Sequence, residues 1–85
     1  MKNNWTVYLL RCATNGSLYC GVTTDLQKRI RQHNLGKGAK YTRMFGPVSL
    51  VISKSGFNKR DAYKMEACIK KLPRVRKIPF MEALQ

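Results

Sequence analysis

A small α+β domain is the fold class this sequence predicts: a three-stranded antiparallel sheet flanked by helices, in the order β-β-α-β-α-α. Three observations predict it. Trp5 to Cys12 is rich in β-formers, Asn15-Gly16 is a strong hairpin signal, and Leu18 to Thr23 reads as the returning strand. Beyond them, the β-rich run Val48 to Ser53 lies between two segments that carry helix start and stop signals.

In the hairpin, a two-residue turn at Asn15-Gly16 would pair Thr14 with Ser17, and a four-residue loop would pair Cys12 with Ser17. Side chains alternate along a strand, so either register puts Tyr8 and Tyr19 on the same sheet face. Gly21, with no Cβ, leaves room there for a close approach. Thr24 with Gln27 makes a capping box for the first helix, which Gly36 or Gly38 ends. Arg29 and His33, four apart, share one side of that helix. A basic, glycine-rich loop from Gly36 to Pro47 leads to the third strand. Asn58 caps the second helix, which runs to Leu72 and is stopped by Pro73. Its apolar stripe, Ala62, Met65, Ile69 and Leu72, reads as core. Pro79 suits the start of a short final helix.

Eighty-five residues suit one domain, 1–85, with a core large enough to fold but little margin. No apolar run reaches membrane-spanning length, and Met1-Lys2-Asn3-Asn4 leads directly into a strand pattern, so neither a membrane helix nor a signal peptide is expected. The three cysteines, Cys12, Cys20 and Cys68, lack metal-ligand spacing and read as buried reduced thiols of a cytoplasmic protein. Cys12 and Cys20 could lie near each other in the hairpin. With a single histidine and no C-x-x-C pair, a structural zinc site has no support.

The charge says more. Seventeen Lys and Arg against four acids give a net +13, which calls for a polyanionic partner, most directly nucleic acid. An anionic membrane is the competing partner, but no long basic amphipathic helix is present to meet it. Lys37, Lys40, Tyr41 and Arg43 mix positive charge with an aromatic ring in the glycine-rich loop, a composition suited to gripping phosphates and stacking a base. A merely solvated loop is the alternative. Among the acids, Asp25 and Asp61 sit in first helical turns, where the macrodipole favours them, and Glu82 lies in the tail. Glu66 stands in mid-helix, either as an ion-pair partner of Lys70 or as a metal ligand.

The segment T-V-Y-L-L…L-Y-C-G-V-T-T-D-L-Q-K-R-I-R-Q-H-N resembles the GIY-YIG nuclease module. Thr6-Val7-Tyr8 stands where that family has its first triplet and Tyr19-Cys20-Gly21 where it has the second. Arg29 falls eight residues after the glycine, at the place of the family's catalytic arginine. His33 matches a position held by histidine or tyrosine in relatives, and Glu66 the metal-binding glutamate. The resemblance covers nearly the whole chain and is nearest to small stand-alone bacterial members. Departures are the missing glycine of the first triplet and isoleucine of the second. No asparagine follows Asn58 to match one that some relatives use near the C-terminus.

The resemblance implies a DNA endonuclease that hydrolyses phosphodiester bonds with one divalent ion, Mg²⁺ or Mn²⁺, held by Glu66. Within that scheme Tyr19 is taken as the general base with Tyr8 in support, and His33 as orienting the water or a phosphate oxygen. Arg29 would hold the scissile phosphate bidentately and favour the phenolate. DNA is expected as partner ahead of RNA. A competing reading keeps the scaffold as a nucleic-acid-binding module without turnover; the full set of Tyr8, Tyr19, Arg29 and Glu66 favours the enzyme. The sequence leaves the oligomeric state open.

Overall fold

The computed structural model describes residues 3–84. Strands β1 (Trp5–Cys12), β2 (Leu18–Thr23) and β3 (Val48–Phe57) form one antiparallel sheet in the order β2-β1-β3. Helices α1 (Leu26–Asn34) and α2 (Lys40–Phe45) lie between β2 and β3 in sequence, and α3 (Lys59–Lys71) and α4 (Arg74–Ala83) follow β3. The expected α+β class holds, with one helix more than the sequence suggested.

Central β1 organises two cores. Val7, Leu9 and Cys20 pack on one face with Ala62 and Ile69 of α3 and Met81 of α4. Tyr8, Leu10, Cys12 and Val48 pack on the other, with Tyr19, Leu26, Ile30 and Phe45 against them. Residues 7–10 are therefore buried on alternating sides, and each large apolar side chain taken out of water contributes about 1.5–3 kcal/mol. Cys12 and Cys20 fall on opposite faces, so they are not neighbours after all, and Cys68 is exposed rather than buried.

The hairpin takes the longer of the two loops considered. Cys12 N donates to Ser17 O at 2.9 Å and Gly16 N to Cys12 O at 2.7 Å, with Gly16 at φ +69°. The Asn15 side chain decides this: its Oδ1 accepts from Ser17 N at 3.1 Å and from Ser17 Oγ at 2.8 Å, a local bond that competes with a tight two-residue turn.

Local chemistry also moves several boundaries. The cap of α1 is Asp25, one residue past the expected Thr24; its carboxylate accepts from Lys28 N at 3.1 Å, while Thr23 Oγ1 accepts from Asp25 N. Gly36 at φ +78° ends α1, with Gly36 N bonded to His33 O and Lys37 N to Gln32 O, the paired bonds of a Schellman motif. The stretch expected as loop from Gly36 to Pro47 contains α2. Six residues are too few to make a stable helix alone, and α2 stands because Thr42 and Phe45 turn inward together. β3 continues past Ser53 because Phe57 pairs with Trp5. As expected, Asn58 caps α3, accepting from Asp61 N at 2.8 Å. α4 starts at Arg74 after Pro73, so Pro79 lies inside the helix rather than at its start. The amide proton that Pro79 lacks would have met Val75, whose residue is 80% exposed and whose carbonyl water can serve.

Gly36→Ala should lower the unfolding free energy by about 1 kcal/mol, because only the left-handed backbone resists a side chain there; nothing lies within 4 Å of the added Cβ. Gly21→Ala should cost more, since its Cβ would overlap the Tyr8 hydroxyl. Urea denaturation of the two variants beside the parent checks the order.

Candidate active site

Pairing across β1 and β2 sets Tyr8 opposite Gly21 and Leu10 opposite Tyr19, so both tyrosines project from the face that α1 covers. The bare Gly21 backbone makes the space that the Tyr8 hydroxyl occupies. α1 brings Arg29 and His33 over the same face, and Arg29 Nη1 donates to Gln32 Oε1 at 3.2 Å. His33 is buried at the centre. Its Nε2 is 3.2 Å from Tyr8 Oη and its Nδ1 is 2.7 Å from Thr42 Oγ1. The Tyr19 ring meets the imidazole edge-on, with centroids 5.3 Å apart.

Burial sets the electrostatics. It pushes the Tyr8 phenol up to about 12, against an opposing pull from the Arg29 guanidinium beside it. It pulls His33 down to about 4, and the positive charge of Arg29 acts in the same direction. His33 is therefore a neutral imidazole near pH 7, with one nitrogen free to accept a proton.

Tyr41 joins this cluster from α2. Its ring stacks on Tyr19 at 6.5 Å and packs on Phe45 at 4.7 Å. Its hydroxyl lies 2.6 Å from Ser17 Oγ and accepts from Asn15 Nδ2 at 3.3 Å, tying α2 to the hairpin turn. Lys37, Lys40 and Arg43 are exposed around it, and Arg43 lines a hollow of about 150 Å³ with His33 and Thr42.

Glu66 lies elsewhere. It follows Ala62 by four residues and precedes Ile69 by three, so it belongs to the sheet-facing stripe of α3, on the other side of the sheet from α1. Its side chain is 18% exposed and pairs with Lys70 at 3.5 Å. Its nearest link to the tyrosines is edge strand β2. Burial, and after it the Glu66 carboxylate, push the Cys20 thiol up to about 12, and Cys20 sits between Tyr19 and Gly21. The structure thus gathers Tyr8, Tyr19, Arg29, His33 and Tyr41 into one cluster, with Glu66 behind the strand that carries Tyr19.

Two residues of the cluster were not expected at the site from the sequence. Thr42 holds the second nitrogen of His33, and Gly38 lets the loop lie against the imidazole, where a Cβ would overlap Nδ1. Among the described residues no group of three or more His, Cys, Asp or Glu side chains could hold a metal. One carboxylate suits an ion such as Mg²⁺, which keeps several waters and takes further ligands from substrate phosphates. No helix among the described residues is long and apolar enough to cross a membrane.

A family model described as the GIY-YIG catalytic domain matches residues 4–78. The chain belongs to the GIY-YIG family. GIY-YIG proteins are of nuclease type, generally use a divalent metal and act on nucleic acid, typically DNA. Relatives include the UPF0213 protein in the glnA 3' region of Neisseria gonorrhoeae, 45% identical over 75 residues, covering 88% of this chain and 81% of that one. The UPF0213 protein YazA of Bacillus subtilis is 45% identical over 80 residues, covering 94% and 80%. The solution NMR structure of a UPF0213 protein from Bacillus halodurans superposes with a TM-score of 0.56 at 42% identity, over 92% of this chain and 82% of that one. A second solution structure, of a protein from E. faecalis, gives 0.63 at 37% identity over 96% and 85%. The GIY-YIG arrangement of a sheet with helices around it is therefore shared.

The depressed pKa of His33 has a stability consequence. The folded value of about 4 lies below the ~6.5 of an unfolded histidine, so the unfolded chain takes up the proton first as pH falls. Stability is complete above ~6.5 and declines from there toward pH 4, by on the order of 3 kcal/mol. Ring-proton NMR of this sole histidine should titrate with a midpoint near 4, and urea midpoints should fall over the same window.

Proposed function

We propose that this protein is a single-domain, metal-dependent DNA endonuclease acting in the cytoplasm. The observation that carries the reading is the buried hydrogen bond between Tyr8 and the neutral His33, set beside Arg29 in a chain of net charge +13. Hydrolysis of a phosphodiester needs a proton acceptor for the attacking water, stabilised equatorial oxygens and a neutralised leaving oxygen. A phenol can take a proton from water only if its own proton has somewhere to go, and Tyr8 has His33 as its neighbour.

We therefore assign the base role to Tyr8 with His33 behind it and a water-orienting role to the more exposed Tyr19, reversing the order expected from the sequence. The resting pKa values keep the proton on Tyr8; the negative charge of a bound phosphate favours the imidazolium and moves the balance toward transfer. Arg29 holds the scissile phosphate with its fork and stabilises the charge that develops on it. Glu66 would hold Mg²⁺ or Mn²⁺, which when bound supplies neutralisation of the leaving oxygen. Lys37, Lys40 and Arg43 grip the flanking backbone, and Tyr41 serves as the wall that keeps Tyr19 in place.

One observation favours the other reading, a binding module without turnover: Glu66 already has Lys70 as a partner. Purified protein offered labelled DNA and RNA of several structures, with Mg²⁺, Mn²⁺ or EDTA, separates the two. The nuclease reading expects metal-dependent cleavage that Glu66→Gln removes while binding persists. Binding without cleavage under every metal would leave the module.

A comparison of the tyrosines tests the assignment within the site. Tyr8→Phe should lower turnover by about 10²-fold or more, the range of general acid–base contributions, and Tyr19→Phe by less. Thermal melts accompany the kinetics, because the Tyr8 hydroxyl also makes a structural hydrogen bond of ~1 kcal/mol. Should Tyr19→Phe be the more damaging change in equally folded proteins, Tyr19 is the base.

A further inference from the structure

Thr42, His33 and Tyr8 form a buried chain of hydrogen bonds that begins at the carbonyl of Ala39. The Thr42 hydroxyl donates to Ala39 O at 2.8 Å. A hydroxyl has one proton, and with that proton on Ala39 O, Thr42 Oγ1 accepts from His33 Nδ1, 2.7 Å away. Nδ1 therefore carries the imidazole proton. A neutral imidazole has a single N–H, which leaves Nε2 with its lone pair facing Tyr8 Oη at 3.2 Å, and Tyr8 is the donor. Tyr8 and Thr42 are 1% exposed and His33 is 2% exposed, so these bonds are shielded from bulk solvent.

We propose that Thr42 is a positioning residue, one that holds His33 in the Nδ1–H tautomer and so reserves Nε2 as the acceptor of the Tyr8 proton. This deepens the nuclease reading and rests on it for its catalytic consequence. The opposite tautomer would turn an Nδ1 lone pair toward the Thr42 oxygen and an Nε2–H toward Tyr8, and the phenol would lose its proton acceptor. The placement of Thr42 depends on α2: Ala39 is the residue that begins the helix, and its carbonyl fixes the threonine rotamer. Gly38 then allows the backbone to lie against the imidazole.

The chain also ends at Ala39. An amide carbonyl has no proton to pass on, so no relay continues beyond Thr42. As the water oxygen bonds to phosphorus, its proton goes to Tyr8 Oη and the Tyr8 proton goes to Nε2, giving an imidazolium. The leaving oxygen departs with the electron pair of the broken P–O bond. The proton on Nε2 can leave only by the way it came, back to Tyr8, whose own proton goes to the departing oxygen or to water. His33 thus stores a proton within each turnover and returns it through the same nitrogen.

His33 is the sole histidine, so its ring nitrogens can be read without ambiguity in ¹⁵N-labelled protein by multiple-bond ¹H–¹⁵N correlation near neutral pH. The expected spectrum has a protonated, pyrrole-type Nδ1 and a pyridine-type Nε2. Thr42→Val removes the hydroxyl at nearly constant shape; it should yield mixed tautomers and lower kcat several-fold, in proportion to the Nδ1–H population lost, with KM unchanged, and Thr42→Ser should restore both. A wild-type proton on Nε2, or a Thr42→Val protein that keeps the wild-type tautomer, overturns the assignment. If Thr42→Val does not fold, the wild-type spectrum still decides the tautomer. If the wild type cleaves no nucleic acid, the nuclease reading fails, and the tautomer is judged on the spectrum alone.

Discussion

A strand buried on both faces has no solvent side, and β1 is such a strand from Val7 to Leu10. Any polar atom that it carries must find a partner inside the protein, because an unmade hydrogen bond in that setting costs about 1–3 kcal/mol. Tyr8 is the position where this constraint bites. Its hydroxyl needs His33, the second nitrogen of His33 needs Thr42, and the Thr42 proton needs the Ala39 carbonyl. No buried side-chain nitrogen or oxygen among the described residues is left without a partner. The segment after α1, the Thr42 side of α2 and the bare backbone at Gly21 and Gly38 all surround this one phenol and its histidine.

What the sequence makes legible is what short-range rules govern. Strand alternation placed Tyr8 and Tyr19 together before the hairpin register was known, and the i,i+4 spacing of Arg29 and His33 held on α1. Asn58 capped α3 as its side chain demands. The features that sequence did not reveal depend on contacts far along the chain. α2 is too short to announce itself and exists because Thr42 and Phe45 find the core. Thr42 pairs with a residue nine positions away, and the extension of β3 depends on Trp5 reaching Phe57. The cap of α1 lies one residue beyond the one the sequence favours, since Thr23, Thr24 and Asp25 all have cap-forming side chains and only the backbone path chooses among them.

Electrostatics divide along the same sheet. Arg29 lies on the tyrosine face and lowers the charge that His33 can hold at rest, while the acid Glu66 lies on the opposite face among apolar neighbours. In a chain with four acids in all, a carboxylate on the sheet-facing stripe of a helix is unusual, because desolvation disfavours it unless something positive is near. Lys70 meets that need in the free protein. A divalent ion bound at Glu66 would take over the same compensation, so ion binding and the Glu66–Lys70 pair draw on the same carboxylate.

The strand order has a bearing on how the chain folds. β1 meets β2 across a short hairpin, whereas its pairing with β3, Tyr8 against Ser53 for example, must first close a long stretch of chain. Loop-closure entropy grows with the length enclosed, and contacts between distant residues slow folding. The tyrosines, Arg29, His33 and Thr42 all lie within the first half of the chain, on the near side of that closure. The apolar face supplied by α3 and α4 comes from the far side. The half of the molecule that holds the tyrosine–histidine cluster is thus the half with the more local contacts, while Glu66 and the apolar face behind it belong to the half beyond the closure.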